Sequence, residues 1–158
     1  MATLSNVTLA VAKSTTNPAL VQITIKYRLT PSRVEQMAHS VFNETFSVLG
    51  RDYLILPGGA EVPSDVAGGL TLPTRDTPIT TVAGSPFAVS ESTPHVDRTK
   101  VFSLQKSRLN EDPDTTATGS EIADEILARV NVVYAANPPM PPTPPTPAFS
   151  SVLTGTWV

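Results

Sequence analysis

His95 and Asp97 stand two residues apart. On an extended strand that spacing turns both side chains to one face, where an imidazole and a carboxylate could begin a metal site. A metal site needs three or four ligands, and neither His95 nor His39 sits in a motif that supplies more. Both are read as solvated histidines. Asn110, Glu111, Asp112 and Asp114 gather oxygen ligands in the manner of a loose calcium loop. Counted from Asn110, the sixth position is Thr115, where an EF-hand loop needs glycine for its sharp turn. The cluster is read as a polar turn.

Other chemistries lack their residues. There is no Gly-x-Ser-x-Gly elbow for a serine nucleophile and no glycine-rich phosphate loop ending in Lys-Ser/Thr. Gly58-Gly59 and Gly68-Gly69 are loop glycines, and Gly84-Ser85-Pro86 is a turn. The sequence contains no Cys, which removes disulfides, thiolate nucleophiles and thiolate metal ligands together. The expectation is a non-enzymatic chain with no catalytic residue, no cofactor and no metal. Net charge is −3, with Lys and Arg scattered singly. A counterion-release mode of nucleic-acid binding needs those cations clustered, so no nucleic-acid partner is expected.

Residues suited to protein contact are easier to find. Tyr53 and Phe87 flank a Gly-, Pro- and Thr-rich stretch at 57–86, read as a long loop facing a partner, because long loops in compact domains are commonly functional. Pro138 to Pro147 must run extended as polyproline II. Pro139–Pro142 and Pro142–Pro145 match a PxxP docking spacing, although a stiff spacer accounts for the composition more simply. Pro141 and Pro144 within this run, and Trp157 near the C-terminus, complete the candidate contacts with Tyr53 and Phe87.

These residues need a scaffold. Hydrophobic residues make up 40% and charged residues 16%, with 16 Pro and 8 Gly breaking the chain. That mix predicts many short strands joined by turns. The clearest strand is 20–29, where Val21, Ile23, Ile25, Tyr27 and Leu29 alternate with polar residues. A strand at 4–11, with Val7, Leu9 and Val11 on one face, precedes it across a turn at Ser14–Pro18. Ser32 and Glu35 match a weak capping box, so 32–38 is read either as a short helical turn or as an irregular connection.

Further strands are expected at 41–49, 87–90 and 98–106, with a short apolar piece at 53–56 after the first of them and one short strand at 80–83 inside the long loop. In the first of these Glu44 interrupts an apolar face of Phe42, Phe46 and Val48, as at an edge or bulge. Residues 120–134 allow a helical turn at 120–125 leading to a strand at 126–134, or one continuous helix. A last strand at 152–158 follows the proline-rich connection at 137–148.

About seven short strands, with Ile23-Thr24-Ile25-Lys26-Tyr27 on the second and Asp124-Glu125-Ile126-Leu127-Ala128-Arg129-Val130 on the penultimate one, resemble an immunoglobulin or fibronectin type III domain. The chain departs from antibody domains in having no Cys pair, in placing its single Trp at 157, and in carrying Leu127 where a corner tyrosine belongs. The resemblance implies an all-β, immunoglobulin-like antiparallel β-sandwich formed by the whole of 1–158 as one domain. It also implies a structural or assembly module, of the kind found on phage-like particles and other large assemblies. A ligand- or glycan-binding module using loop 57–86 is the alternative.

The N-terminus lacks the charged and apolar regions of a signal peptide, and no apolar run reaches bilayer length. Cytoplasmic synthesis, no membrane insertion and self-assembly or protein partners are the expectations. The terminal strand 152–158 is expected to add to a neighbour's sheet.

Overall fold

The computed structural model describes residues 1–50, 53–55, 61–63, 77–109, 124–135 and 144–155. Period-2 alternation governs the first hairpin, β1 (Thr3–Lys13) and β2 (Leu20–Thr30), which pair antiparallel. The turn between them is held by its own polar side chains. Asn17 Oδ1 accepts the Ala19 N–H at 2.9 Å, and Ser14 Oγ accepts the Asn17 N–H at 3.2 Å, as short polar residues do in turns. β2 then buries Val21, Ile23, Ile25, Tyr27 and Leu29 and leaves the alternate residues half-buried or exposed. Each such side chain contributes about 1.5–3 kcal/mol of transfer free energy.

β1 is irregular at one place. A register shift between Ser5 and Thr8 inserts one extra residue, and Asn6 takes a left-handed φ of 53°. Asn is among the few non-glycine residues that adopt this conformation readily. The bulge lets Leu4 and Val7, three apart in sequence, both pack against the core.

The capping box at Ser32 and Glu35 starts α1 (Arg33–Met37). The helix stops in a Schellman arrangement: the His39 N–H bonds Gln36 O at 3.1 Å, and the Ser40 N–H bonds Glu35 O at 3.0 Å. His39 holds the left-handed position at φ 48°.

β3 (Val41–Gly50) is the centre of the second sheet. It pairs antiparallel with β9 (Asp124–Tyr134) on one side, and with β6 (Thr77–Ala83) and β7 (Phe87–Ala88) on the other. β4 (Tyr53–Ile55) and β5 (Glu61–Pro63) make a separate two-stranded pair. β8 (Val96–Gln105) pairs with β2 over its full length, and a 3-10 turn at Lys106–Arg108 follows. β10 (Ala148–Phe149) and β11 (Leu153–Gly155) both lie on β9.

The chain is therefore an all-β sandwich of two antiparallel sheets. One has the order β1-β2-β8; the other has β10-β9-β3-β6, with β11 on β9 and β7 on β3. The core lies between them, with β2 facing Phe42, Phe46 and Val48 of β3 and Ile126, Ala128, Val130 and Val132 of β9.

Several expectations are corrected. The stretch 57–86 is not one loop, because β5 and a seven-residue β6 lie within it. The strand expected at 80–83 begins at Thr77, and the one expected at 98–106 begins at Val96. Asp124 and Glu125 already belong to β9, which excludes a continuous helix over 120–134; the rest of the expected helical turn, 120–123, lies outside the described residues. The proline-rich connection ends before Ala148. The last strand comes in two pieces because Ser150 intervenes, its Oγ taking the Ala128 N–H at 2.9 Å in place of a ladder carbonyl. Both pieces pair with β9 of the same chain. The terminal segment therefore completes its own sheet as far as Gly155, and 156–158 lie outside the described residues.

Candidate functional site

β8 has an inner side that anchors it and an outer side that no described strand pairs. The anchor is Glu44. Its position on β3 points inward between Phe42 and Phe46, and the residue is 5% exposed. An unpaired carboxylate there would be prohibitively costly, and three groups converge on it. The Tyr27 hydroxyl donates to Oε2 at 2.6 Å, and Arg98 donates from Nε at 3.1 Å and from Nη2 at 2.6 Å. The Arg98 guanidinium also lies 4.6 Å over the Phe87 ring and donates to Ser85 O.

Gly84 completes the arrangement. Its N–H bonds Glu44 O at 2.9 Å, and a Cβ on it would fall 2.1 Å from Glu44 Cγ. Burial, with the neighbouring Glu44 carboxylate adding to it, pushes the Tyr27 hydroxyl well above its ordinary pKa, so it stays a donor. Glu44 thus makes an ion pair that ties β3 to β8 across the sandwich, and it sits where the ladder passes from β6 to β7, with residues 43–44 of β3 facing 84–86.

A second buried carboxylate lies beyond the Phe87, Phe42 and Tyr134 rings, which touch in sequence from Arg98 to Glu35. Glu35 Oε1 accepts the Ala2 N–H at 2.8 Å and the Tyr134 hydroxyl, while Oε2 accepts the Ser32 N–H at 2.7 Å and Oγ at 2.8 Å. Burial raises the Glu35 pKa, but these donors together outweigh it and hold the group below its usual range. β1, α1 and β9 are joined there.

The open side of β8 follows from the phase of its ladder. The Lys106 N–H bonds Ala19 O at 2.9 Å, next to the Leu20–Gln105 pair. Hydrogen-bonded positions alternate along an antiparallel strand, and the β2–β8 register has no shift. The main-chain groups of Leu104, Phe102, Lys100, Arg98 and Val96 therefore face β2. Those of Asp97, Thr99, Val101, Ser103 and Gln105 face away, and no described strand meets them.

The side chains of these five residues lie on the exposed face of the sheet. Asp97 is held there by Arg28 at 2.7 and 3.0 Å. The Arg28 hydrogen bond holds its carboxyl below the usual range against an opposing effect of desolvation, with the charges nearby adding to the lowering. Beside this face a shallow cleft of about 260 Å³ is lined by Asn6, Thr8, Lys26, Arg28, Asp97 and Thr99, among others.

The other edges of the sheets are less open. β1 carries the bulge and runs beside β9 and β10. β6 has Pro78 near its start, and β10 and β11 are two and three residues long. Among the described residues, β8 is the longest unbroken edge.

The candidate contact residues do not come together. Phe87 is half-buried, stacked on Phe42 with ring centroids 5.6 Å apart. It serves the core and Arg98 rather than an open surface. Tyr53 is placed in β4 opposite Pro63. Pro144 is exposed, but Pro145 is buried, so the Pro142–Pro145 pair is not presented whole. Pro141, Trp157 and the acidic turn at 110–114 lie outside the described residues. His95 Nε2 is 3.8 Å from Asp97 Oδ2, but the carboxylate is engaged by Arg28. Among the described residues no group of three metal-ligating side chains forms, and no helix is long and apolar enough to cross a membrane.

Sequence reasoning named neither Arg98 nor the β8 edge. The one signal was a carboxylate on an apolar strand face, which implies a buried cation partner without saying which. Comparison with family models, curated proteins and solved structures returns no match.

Proposed function

We propose that this chain is a non-enzymatic structural module that joins other protein through the free edge of β8. The observation that carries this reading is the ten-residue strand Val96–Gln105, paired along one side and presenting five outward main-chain positions along the other. Open edges are templates for strand addition unless they are blocked. Of the two cations on the inner face of β8, Arg98 and Lys100, Arg98 is already neutralised by Glu44, which weakens the usual block by an inward-pointing charge.

The division of strands supports an immunoglobulin-like wiring. The first, second and eighth strands stand in one sheet, and the third, ninth and last strands in the other. Glycan binding through Phe87 has less support, since its ring is committed to Phe42 and Arg98.

Light scattering coupled to size-exclusion chromatography tests the proposal. A defined oligomer is expected at micromolar concentration. A monomer throughout would remove the support for self-assembly.

A further inference from the structure

We infer that the partner on the β8 edge is a second copy of this chain, the two β8 strands pairing antiparallel about Val101. The inference rests on the assembly reading above and adds its occupant and its register.

Directly opposed residues of an antiparallel pair point to the same face. A two-fold axis between identical strands must therefore set one residue opposite itself. Arg98 and Lys100 are excluded as centres because each would face its own copy, like charge on like. Thr99 is excluded because Arg98 would then oppose Lys100. Phe102 would put Arg98 opposite Lys106.

Val101 remains, close to the middle of the strand. About this centre Thr99 faces Ser103, Asp97 faces Gln105, Lys100 faces Phe102 and Arg98 faces Leu104. No like charges meet. Hydroxyl meets hydroxyl, and carboxylate meets amide. Val101, 49% exposed in one chain, is covered by its own copy.

The ladder phase agrees. Asp97, Thr99, Val101, Ser103 and Gln105 turn their N–H and C=O groups outward, so each of the outer-face pairs exchanges two main-chain hydrogen bonds. The product is a continuous six-stranded sheet, β1-β2-β8 joined to its two-fold mate. An interface of this kind uses the same patch on both partners and closes.

The lack of any Cys makes crosslinking a clean test. In the proposed register the two Val101 Cα atoms stand about 5.5 Å apart, within the span a disulfide bridges. Val101→Cys is expected to form a covalent dimer on mild oxidation. Thr99→Cys and Ser103→Cys, each about 13 Å from its own copy, are expected to crosslink when mixed and not alone. Val101→Lys, an exposed change, is expected to keep the circular dichroism spectrum and weaken self-association at least about tenfold.

If light scattering shows an oligomer that Val101→Cys does not crosslink and Val101→Lys does not weaken, this inference falls and the assembly reading stands. A chain that is monomeric throughout, with no crosslink, overturns both.

Discussion

Arg98→Ala tests whether Glu44 is held by the pair that crosses the sandwich. The Glu44 side chain is 3% exposed and that of Arg98 26%. Removing the guanidinium leaves a buried carboxylate with the Tyr27 hydroxyl as its remaining side-chain donor. Breaking a buried pair from one side costs about 3–5 kcal/mol. Water can reach the Arg98 side of this pair, which places the cost near the lower bound, about 3 kcal/mol. Loss of the contact over Phe87 adds about 0.5–1 kcal/mol. For a domain of this size the sum of about 3.5–4 kcal/mol lowers the melting temperature by roughly 7–16 °C.

The physical cause is a stranded charge, so removing the whole polar cluster should recover most of the loss. The triple variant Tyr27→Phe, Glu44→Met, Arg98→Leu is expected within about 1–2 kcal/mol of the native chain, since apolar replacement of a buried pair is often near neutral. Urea unfolding followed by circular dichroism, at one fixed protein concentration, measures both variants. A cost below about 1 kcal/mol for Arg98→Ala, or a triple variant no more stable than it, would refute the reasoning.

Other outcomes follow from the same contacts. Gly84→Ala is expected to cost at least about 1–3 kcal/mol, because its Cβ would meet Glu44 Cγ at 2.1 Å; thermal melting checks this. Glu35→Gln is expected to destabilise by about 1.5–3 kcal/mol at neutral pH. The Glu35 pKa is lowered in the folded state, so its stabilisation is present above the unfolded carboxylate pKa and is lost as pH falls through the lower folded value. The gap between native and Glu35→Gln stability should close on acidification; a gap that widened would contradict the assignment. His39→Gly is expected to be neutral or to stabilise by up to about 1 kcal/mol, since the Schellman position at φ 48° suits glycine. Phe87→Ala is expected to behave as a packing variant, costing about 2–3 kcal/mol in unfolding assays.

The alternation from Val21 to Leu29, the polar turn at Ser14–Pro18 and the Ser32–Glu35 box were legible in the sequence because each rests on neighbours within a few residues. So was the all-β character, carried by β-branched alternation and frequent turn residues.

Tertiary structure decided the rest. Glu44 and Arg98 are 54 residues apart in the chain, and no local pattern assigns one to the other; only the stacking of β8 over β3 does. Phe87 looked like a loop aromatic until its ring was seen against Phe42. The terminal segment, set beyond a stiff proline-rich run, reads as a strand available to a neighbour, and only the structure lays β10 and β11 on β9 of the same chain. That no described strand pairs the outer side of β8 is likewise a property of the sheet order: the same ten residues would be fully paired if another strand lay beside them. Side-chain periodicity tells which face of a strand is buried, but the main chain of every strand is alike, and only the assembled sheet shows whose hydrogen bonds are left open.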